Sequence, residues 1–322
     1  MATGRTTPRL GLAALLAAGL ARTLAAQQGA CLDRIVAVNV LTPSGHTATG
    51  LTEKDFQAEY QHQAVQVVSA KLETHPRRVV LVLDASASMT TTPNWHLAVA
   101  AAEGMIINAP ADTSFALLTF ATHVETTTGF GEGAAAVAKQ LSTLGAKNWS
   151  KYHGPPRKTA LLDALVEGLD LLQPPALGDV VFAITDGEDT ASRNQLPEVQ
   201  GRFLSESVRL FCFFTIPTAV ATWPQVPDSI QPVAFATLAH ATGGGVAWVD
   251  LSSWQTPNTD VSGVLPRIVP LLREIADFYR LEFRLPRAVK KESTWKLRVM
   301  EDSGKRNSRL QVIYPEKLSP CP

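Results

Sequence analysis

The chain lacks several features that would point to a particular class of protein. Its 29 basic and 29 acidic residues cancel, so we expect neither nucleic acid nor an anionic membrane surface as a general partner. Beyond the N-terminal region, no segment reaches the roughly 18 continuous apolar residues that a membrane-spanning helix needs. The chain has 322 residues, of which 45% are hydrophobic, and this is enough for about two domains with a sizeable core.

The sequence patterns of several enzyme classes are missing as well. The seven histidines show no His-Glu-x-x-His or other zinc spacing, and no Gly-x-Ser-x-Gly segment indicates a hydrolytic serine. The three glycines at 243–245 lack the Gly-Lys-Ser/Thr continuation of a phosphate-binding loop. We therefore expect a protein that is not an enzyme, and we interpret the glycine run as a turn that ends a helix.

The N-terminus has the pattern of a secretory signal peptide. Arg5 and Arg9 precede an apolar stretch at residues 10–21, and Ala25 and Ala26 supply the small residues of a cleavage site. The pattern predicts a signal peptide over residues 1–26 and an exported protein, either secreted or periplasmic. A retained N-terminal anchor is the alternative.

Cysteine is scarce, and its positions are informative. Cys31 lies just after the predicted cleavage site, Cys321 is the penultimate residue, and Cys212 lies within an apolar run. In an oxidising compartment we expect a bridge between Cys31 and Cys321 and a buried free thiol at Cys212. A lipid anchor on Cys31 is a competing interpretation, which Gln28 disfavours.

Strand and helix patterns alternate through the centre of the chain. Runs such as 79–83, 180–185 and 209–216 are typical of buried strands, whereas 94–108 and 159–172 show helical patterns. This alternation predicts an α/β domain over residues 77–277, with a doubly wound, mostly parallel, Rossmann-like sheet. The short segment 124–128 is expected to pair antiparallel at an edge.

The two ends of the chain carry strand patterns instead of this alternation. Three candidate strands lie on each side of the central domain, at 34–41, 56–60 and 64–72 and at 278–285, 294–300 and 309–314. Neither end is long enough to fold readily alone. We therefore expect residues 27–76 and 278–322 to build one flanking β-sandwich, with the α/β domain inserted between them.

Oxygen-bearing side chains follow the first central strand. Asp84, Ser86 and Ser88 come directly after the apolar run 79–83. A carboxylate and two hydroxyls at alternate positions of a tight loop would surround one point with hard oxygen atoms, which suits Mg²⁺. Alone the pattern is weak, because Asp and Ser also occupy ordinary helix caps and turns.

Two later segments add oxygen ligands to this predicted site. Thr159 lies at the start of a predicted helix, and Asp186 follows the apolar strand 180–185. The carboxyl ends of parallel strands share one edge of a sheet, so Asp84 and Asp186 can converge there with Ser86, Ser88 and Thr159. Glu188 and Asp189 could enlarge the site, although carboxylates at such positions are more often helix-start or solvated residues.

With these residues in this order, the chain resembles the von Willebrand factor type A domain. Asp84, Ser86, Ser88, Thr159 and Asp186 match that family's metal-ion-dependent adhesion site. The resemblance implies that the three hydroxyls contact the ion and that the two aspartates act largely through water. The flanks look like those of bacterial secreted VWFA-related proteins, since Gly-Leu-Thr-x-x-Asp-Phe occurs at 50–56 and Tyr-x-Leu-x-Phe at 279–283.

The resemblance also implies a function. It predicts an exported adhesion or scaffold module that holds Mg²⁺ (or Mn²⁺) and captures a carboxylate of a protein partner through an open position on the ion. One alternative is a scaffold in which the metal only braces loops, and a remoter one is a hydrolase that uses the metal to activate water.

The long loop before Thr159 is a candidate for partner specificity. Residues 145–158 carry Trp149, Tyr152 and His153 together with four cationic residues. Aromatic and arginine side chains often supply binding energy at interfaces. The equally weighted alternative is a solvated insertion whose rings cover the edge of the sheet.

Overall fold

Two sheets organise the protein in the computed structural model. The structure describes residues 31–74, 77–90, 94–146, 158–216, 232–250, 263–301 and 303–320. The predicted signal peptide, the aromatic residues of the loop before Thr159 and Cys321 lie outside these residues. Within them, no helix is long and apolar enough to cross a membrane.

The central sheet has six strands in the order β6-β5-β4-β7-β8-β9. Its strands are β4 (Arg78–Asp84), β5 (Ser114–Phe120), β6 (Val124–Thr128), β7 (Val180–Thr185), β8 (Arg209–Ile216) and β9 (Val246–Asp250). All neighbouring pairs are parallel except β5 with β6. The predicted doubly wound α/β fold with an antiparallel edge strand is thus confirmed.

In the described part of the chain, six α-helices cover the two faces of this sheet. They are α1 (Asn94–Asn108), α2 (Ala134–Gly145), α3 (Leu161–Leu171), α4 (Leu196–Glu206), α5 (Pro232–Ala241) and α6 (Leu265–Ala276). In β4, Val79, Leu81 and Leu83 pack with α1, α2 and α6, whereas Val80 and Val82 pack with α3, α4 and α5. Because both faces are buried, the strand is apolar throughout, as parallel strands usually are.

The flanking sheet has seven antiparallel strands from both ends of the chain, in the order β12-β1-β10-β3-β2-β11-β13. Its strands are β1 (Asp33–Leu41), β2 (Phe56–Tyr60), β3 (Gln63–Glu73), β10 (Phe278–Arg284), β11 (Ser293–Val299), β12 (Gln311–Ile313) and β13 (Lys317–Leu318). All seven strands join one curled sheet. The rings of Phe283 in β10 and Trp295 in β11 stack at 4.6 Å although two strands separate them in the sheet order.

Three local expectations need correction or comment. The helix predicted to start at Thr159 begins at Leu161, because the main chain of Thr159 is bonded to another loop. The last predicted strand shortens to Gln311–Ile313, and Lys317–Leu318 forms an additional strand on β11. Cys212 is a free, buried thiol, and Cys31 takes part in a disulfide; its pairing with Cys321 stays a prediction.

Candidate metal site at the carboxyl edge of the central sheet

Asp84 is the last residue of β4 and is fully buried. Its Oδ1 accepts a hydrogen bond from the Ser86 amide at 2.8 Å, which closes the tight turn after the strand. Its Oδ2 accepts a hydrogen bond from the Thr185 hydroxyl at 2.7 Å. The carboxylate is therefore held from its own loop and from the neighbouring strand β7.

The two serines lie next to each other in the loop after β4. Their hydroxyl oxygens are 3.2 Å apart, with Ser86 buried and Ser88 exposed. Buried Met89 anchors the loop below them, since its Sδ accepts a hydrogen bond from the Thr215 hydroxyl at 3.2 Å. Asn94 at the start of α1 donates to the Ser88 carbonyl at 3.0 Å. The hydroxyls thus occupy a loop that is fixed on both sides.

Asp186 follows β7 and brings the second carboxylate to the same place. Its side chain accepts a hydrogen bond from Ser88, and its Oδ1 also accepts one from the Glu188 amide at 3.2 Å. The chain can turn here because Gly187 has a φ of +82°, a conformation that glycine adopts without strain. The contacts therefore bring Asp84, Ser86, Ser88 and Asp186 together as predicted.

Thr159 is held by the segment that follows Asp186. Its amide donates to the Thr190 hydroxyl at 3.0 Å, and its carbonyl accepts from the amides of Thr190 at 2.8 Å and Ala191 at 3.0 Å. Among the described residues, no hydrogen bond joins the Thr159 side chain to the other four predicted ligands. The main chain of Thr159 is thus bonded to Thr190 and Ala191, which follow Asp186 in the sequence.

Asp189 acts as a helix cap in this arrangement. Its Oδ1 accepts hydrogen bonds from the amide of Leu161, the first residue of α3, at 2.8 Å and from the Ser192 hydroxyl at 2.6 Å. A carboxylate at this position satisfies an otherwise unpaired helix amide and the positive end of the helix dipole. The helix-start interpretation of Asp189 therefore agrees with the structure.

The two central carboxylates are buried without a positive partner. Among the described residues, no lysine or arginine forms an ion pair with Asp84 or Asp186. Burial, and then the charge of Asp186, raises the pKa of Asp84 to about 7. Burial likewise raises the pKa of Asp186. Such a pair is unfavourable unless a cation lies beside it.

The chemistry of these side chains fits a hard divalent cation. Two carboxylates and three hydroxyls provide only oxygen, which Mg²⁺ and Mn²⁺ prefer over the nitrogen and sulfur ligands that zinc favours. The described residues contain no group of three or more His, Cys, Asp or Glu side chains suited to a metal. A site here would therefore depend on the hydroxyls of Ser86, Ser88 and Thr159.

Two residues important to this arrangement had no distinct sequence signal. Thr185 is the last residue of an apolar strand, and Thr190 lies in an ordinary polar loop. In the sequence, Thr185 differs from the rest of its strand only by carrying a hydroxyl directly before Asp186, which does not indicate a contact with Asp84. Its contact with Asp84 crosses 101 positions of sequence, so no local pattern contains it.

One comparison with known proteins covers the whole candidate site. Residues 79–188 match the model of the von Willebrand factor type A domain, and this stretch includes all five predicted site residues. Over these residues the chain is therefore similar to the von Willebrand factor type A domain. No curated protein sequence matches the chain.

Three solved structures are distantly similar to this chain. The von Willebrand factor type A protein from Catenulispora acidiphila is 11% identical over 88% of this chain and 73% of its own, with a TM-score of 0.44. BatB from Bacteroides thetaiotaomicron is 14% identical over 61% and 98%, with a TM-score of 0.41. Mussel byssus proximal thread matrix protein 1, with a zinc-occupied MIDAS motif, is 17% identical over 69% and 50%, with a TM-score of 0.46. Similarity this distant does not extend to function.

Proposed function

We propose that this protein is an exported, metal-dependent binding module and not an enzyme. Ser86, Ser88 and Thr159 would contact Mg²⁺ or Mn²⁺, and Asp84 and Asp186 would act on it through water. The ion supplies a Lewis-acidic position that accepts an oxygen from a partner. The observation that carries this proposal is a pair of buried carboxylates beside three hydroxyl-bearing residues, with which no lysine or arginine of the described part of the chain forms an ion pair.

The choice of partner follows from the charge of the ion. A divalent cation that retains a free position binds a carboxylate more strongly than a neutral oxygen. We therefore propose that the partner is a protein that presents an Asp or Glu side chain. Domains of the matched family commonly bind proteins, which supports a protein partner over a small molecule.

The hydrogen bonds of the site weigh against a metal that only braces loops. Thr185 already joins the loop after β4 to β7, and Thr190 already joins Thr159 to the loop after β7. Both connections are hydrogen bonds within the protein and do not pass through the proposed ion. We therefore prefer partner capture to the scaffold alternative.

The proposal extends to the arrangement of the chain and its export. Residues 77–277 would form the binding domain, residues 27–76 and 278–322 the flanking β domain, and residues 1–26 a signal peptide. Export would place the site in a compartment where Mg²⁺ and protein partners are available.

Ion binding is the first test. Mg²⁺ or Mn²⁺ should raise the melting temperature of the purified protein, because a ligand that binds only the folded state stabilises it by mass action. Asp84→Ala should abolish this increase, whereas Asp112→Ala, which removes an exposed aspartate before β5, should preserve it. Differential scanning calorimetry with the ion or with EDTA measures the effect. Identical wild-type curves over a millimolar range of ion would contradict the proposal.

Carboxylate capture is the second part of the same test. An array of peptides that differ only by Glu or Gln at one position should bind the wild-type protein through the Glu members, in Mg²⁺ but not in EDTA. Binding that survives EDTA and the Asp84→Ala substitution would favour the scaffold alternative, because the metal would then lie outside the interface.

A further inference from the structure

A buried threonine hydroxyl lies between the two carboxylate-bearing loops of the candidate site. Thr185 ends β7 and has no solvent exposure. Its Oγ1 is 2.7 Å from Asp84 Oδ2 and 3.0 Å from the Gly187 amide nitrogen. One side chain thus contacts the first metal-site loop and the main chain just after Asp186.

The direction of both hydrogen bonds follows from their chemistry. The Gly187 amide has only a proton to offer, so the Thr185 oxygen accepts that bond. The hydroxyl has one proton, which is therefore directed at Asp84. A donor at this position favours the ionised carboxylate, the form that binds a cation or its waters.

The same bond determines the orientation of the Asp84 carboxylate. Its oxygens accept hydrogen bonds from three protein donors: the Ser86 amide on Oδ1, the Thr185 hydroxyl on Oδ2 and, in addition, the Ser86 hydroxyl. An ionised carboxylate has about four acceptor sites, so roughly one remains for another ligand. With both oxygens held, the group cannot rotate without losing a buried hydrogen bond.

We infer that Thr185 is a positioning residue for the metal site, an inference that rests on the proposed function. It orients the Asp84 carboxylate. Because the same side chain at the end of β7 also bonds the Gly187 amide, it fixes the distance between Asp84 and the loop that carries Asp186. It does not touch the ion. Residues that orient ligands in this way typically change metal affinity by about 10- to 100-fold when they are removed.

Two substitutions separate the hydroxyl from the shape of the side chain. Thr185→Val keeps the branched shape and removes the hydroxyl, whereas Thr185→Ser keeps the hydroxyl and removes the methyl. Thr242→Val is a matched control, because Thr242 is a buried threonine near the amino end of β8 whose hydroxyl likewise accepts from an amide, that of Leu210, but donates to the Ala239 carbonyl and not to a carboxylate.

The experiment is isothermal titration of Mn²⁺ and of Mg²⁺ into each full-length variant. We expect Thr185→Val to weaken the affinity by about 10-fold or more, and Thr185→Ser and Thr242→Val to bind much as the wild type does. Melting temperatures in EDTA show that each variant is folded. Hydrogen exchange in EDTA provides a second measurement, in which the Gly187 amide should lose protection in Thr185→Val only.

The outcomes distinguish this inference from the proposed function. If the wild type binds the ions and Thr185→Val binds them equally well, the positioning role is wrong and the function stands. If Thr185→Ser loses as much affinity as Thr185→Val, packing of the methyl group is responsible, and the role is again wrong. If the wild type binds neither ion, the proposed function fails and the role of Thr185 fails with it.

Discussion

The two edges of the central sheet differ in whether their buried charged side chains have partners inside the chain. At the amino edge of the parallel strands, the cations are Arg77, Arg78 and Arg209. Arg78 forms a two-point ion pair with Asp179, from Nε to Oδ1 at 3.0 Å and from Nη2 to Oδ2. At the carboxyl edge, Asp84 and Asp186 have no such partner among the described residues. Within the described residues, the amino edge therefore supplies its arginines with a carboxylate or with neutral oxygens, whereas the two carboxylates at the carboxyl edge have no ion pair.

Arg209 has hydrogen-bond acceptors for both Nη atoms of its buried guanidinium, although its Nε has none within the described residues. Its Nη1 donates to Asn39 Oδ1 and to the Glu274 carbonyl, each at 2.9 Å, and its Nη2 donates to the Ile275 carbonyl at 3.3 Å. These carbonyls belong to the last turn of α6, where the helix dipole is negative. The guanidinium also lies 4.7 Å from the ring centroid of Phe278.

The amino edge is also the junction between the two sheets. Asn39 of β1 donates to the carbonyls of Glu274 at 2.8 Å and Asp277 at 2.7 Å. Flanking sheet, central sheet and α6 thus share one hydrogen-bonded cluster. Charges with partners inside the chain hold parts of the structure together, whereas charges without them require a partner from outside.

Removal of Arg209 should have the largest effect on stability. Arg209→Met would leave the Asn39 side chain and two carbonyls of α6 without their donor, and such losses around a buried charge cost about 3–5 kcal/mol. Urea denaturation measures the free energy of unfolding. Arg284→Met, which breaks an exposed ion pair with Asp33, is the control and should cost less than about 1 kcal/mol. Equal losses in the two variants would show that the cluster is not a structural junction.

Glu274 should make stability depend on pH at the amino edge. Burial raises the pKa of Glu274 to about 7, although the charge of Arg209 opposes the shift, and within the described residues Oε2 has no hydrogen-bond partner. Between about pH 4.5 and 7 the folded state holds this proton and the unfolded state does not, so stability falls as pH rises through this window.

The size of this effect has an upper limit. One pKa unit corresponds to about 1.4 kcal/mol, so Glu274 contributes at most about 3 kcal/mol over the window. Urea denaturation at several pH values should show that Glu274→Gln is less pH-dependent than the wild type, because the amide does not titrate. Parallel pH profiles would mean that Glu274 is ionised throughout and neutralised by Arg209.

At the carboxyl edge, Asp186→Asn should not destabilise the metal-free protein as Arg209→Met does at the amino edge. In EDTA this substitution should raise the free energy of unfolding slightly, because it removes one of two buried like charges while the amide oxygen can still accept from Glu188. In Mg²⁺ it should lose the stabilisation of the wild type, which is about 2.7 kcal/mol at 100 times the dissociation constant. Urea denaturation in both conditions gives the two values. A destabilised variant in EDTA would show that this carboxylate already has an internal partner.

The site was largely predictable because most of its residues are local in sequence. Asp84, Ser86 and Ser88 are contained in one loop, and Asp186 ends an obvious buried strand. The contacts of these four residues agree with the predicted convergence, although their roles as metal ligands stay a prediction. Thr159 was placed at a helix start, but Thr190 and Ala191 hold it two residues before the helix begins.

The sequence alone determined the strand patterns, the alternation of strands and helices, and the order of the oxygen-bearing side chains. Each of these can be recognised from short segments of sequence. Only the tertiary structure decided which buried polar groups meet, such as Thr185 with Asp84 and Arg209 with Asn39 and α6. It also decided that the flanking strands join one curled sheet. These features depend on contacts across 65 or more positions. Whether a buried charge has a partner is therefore determined only when distant segments have packed together.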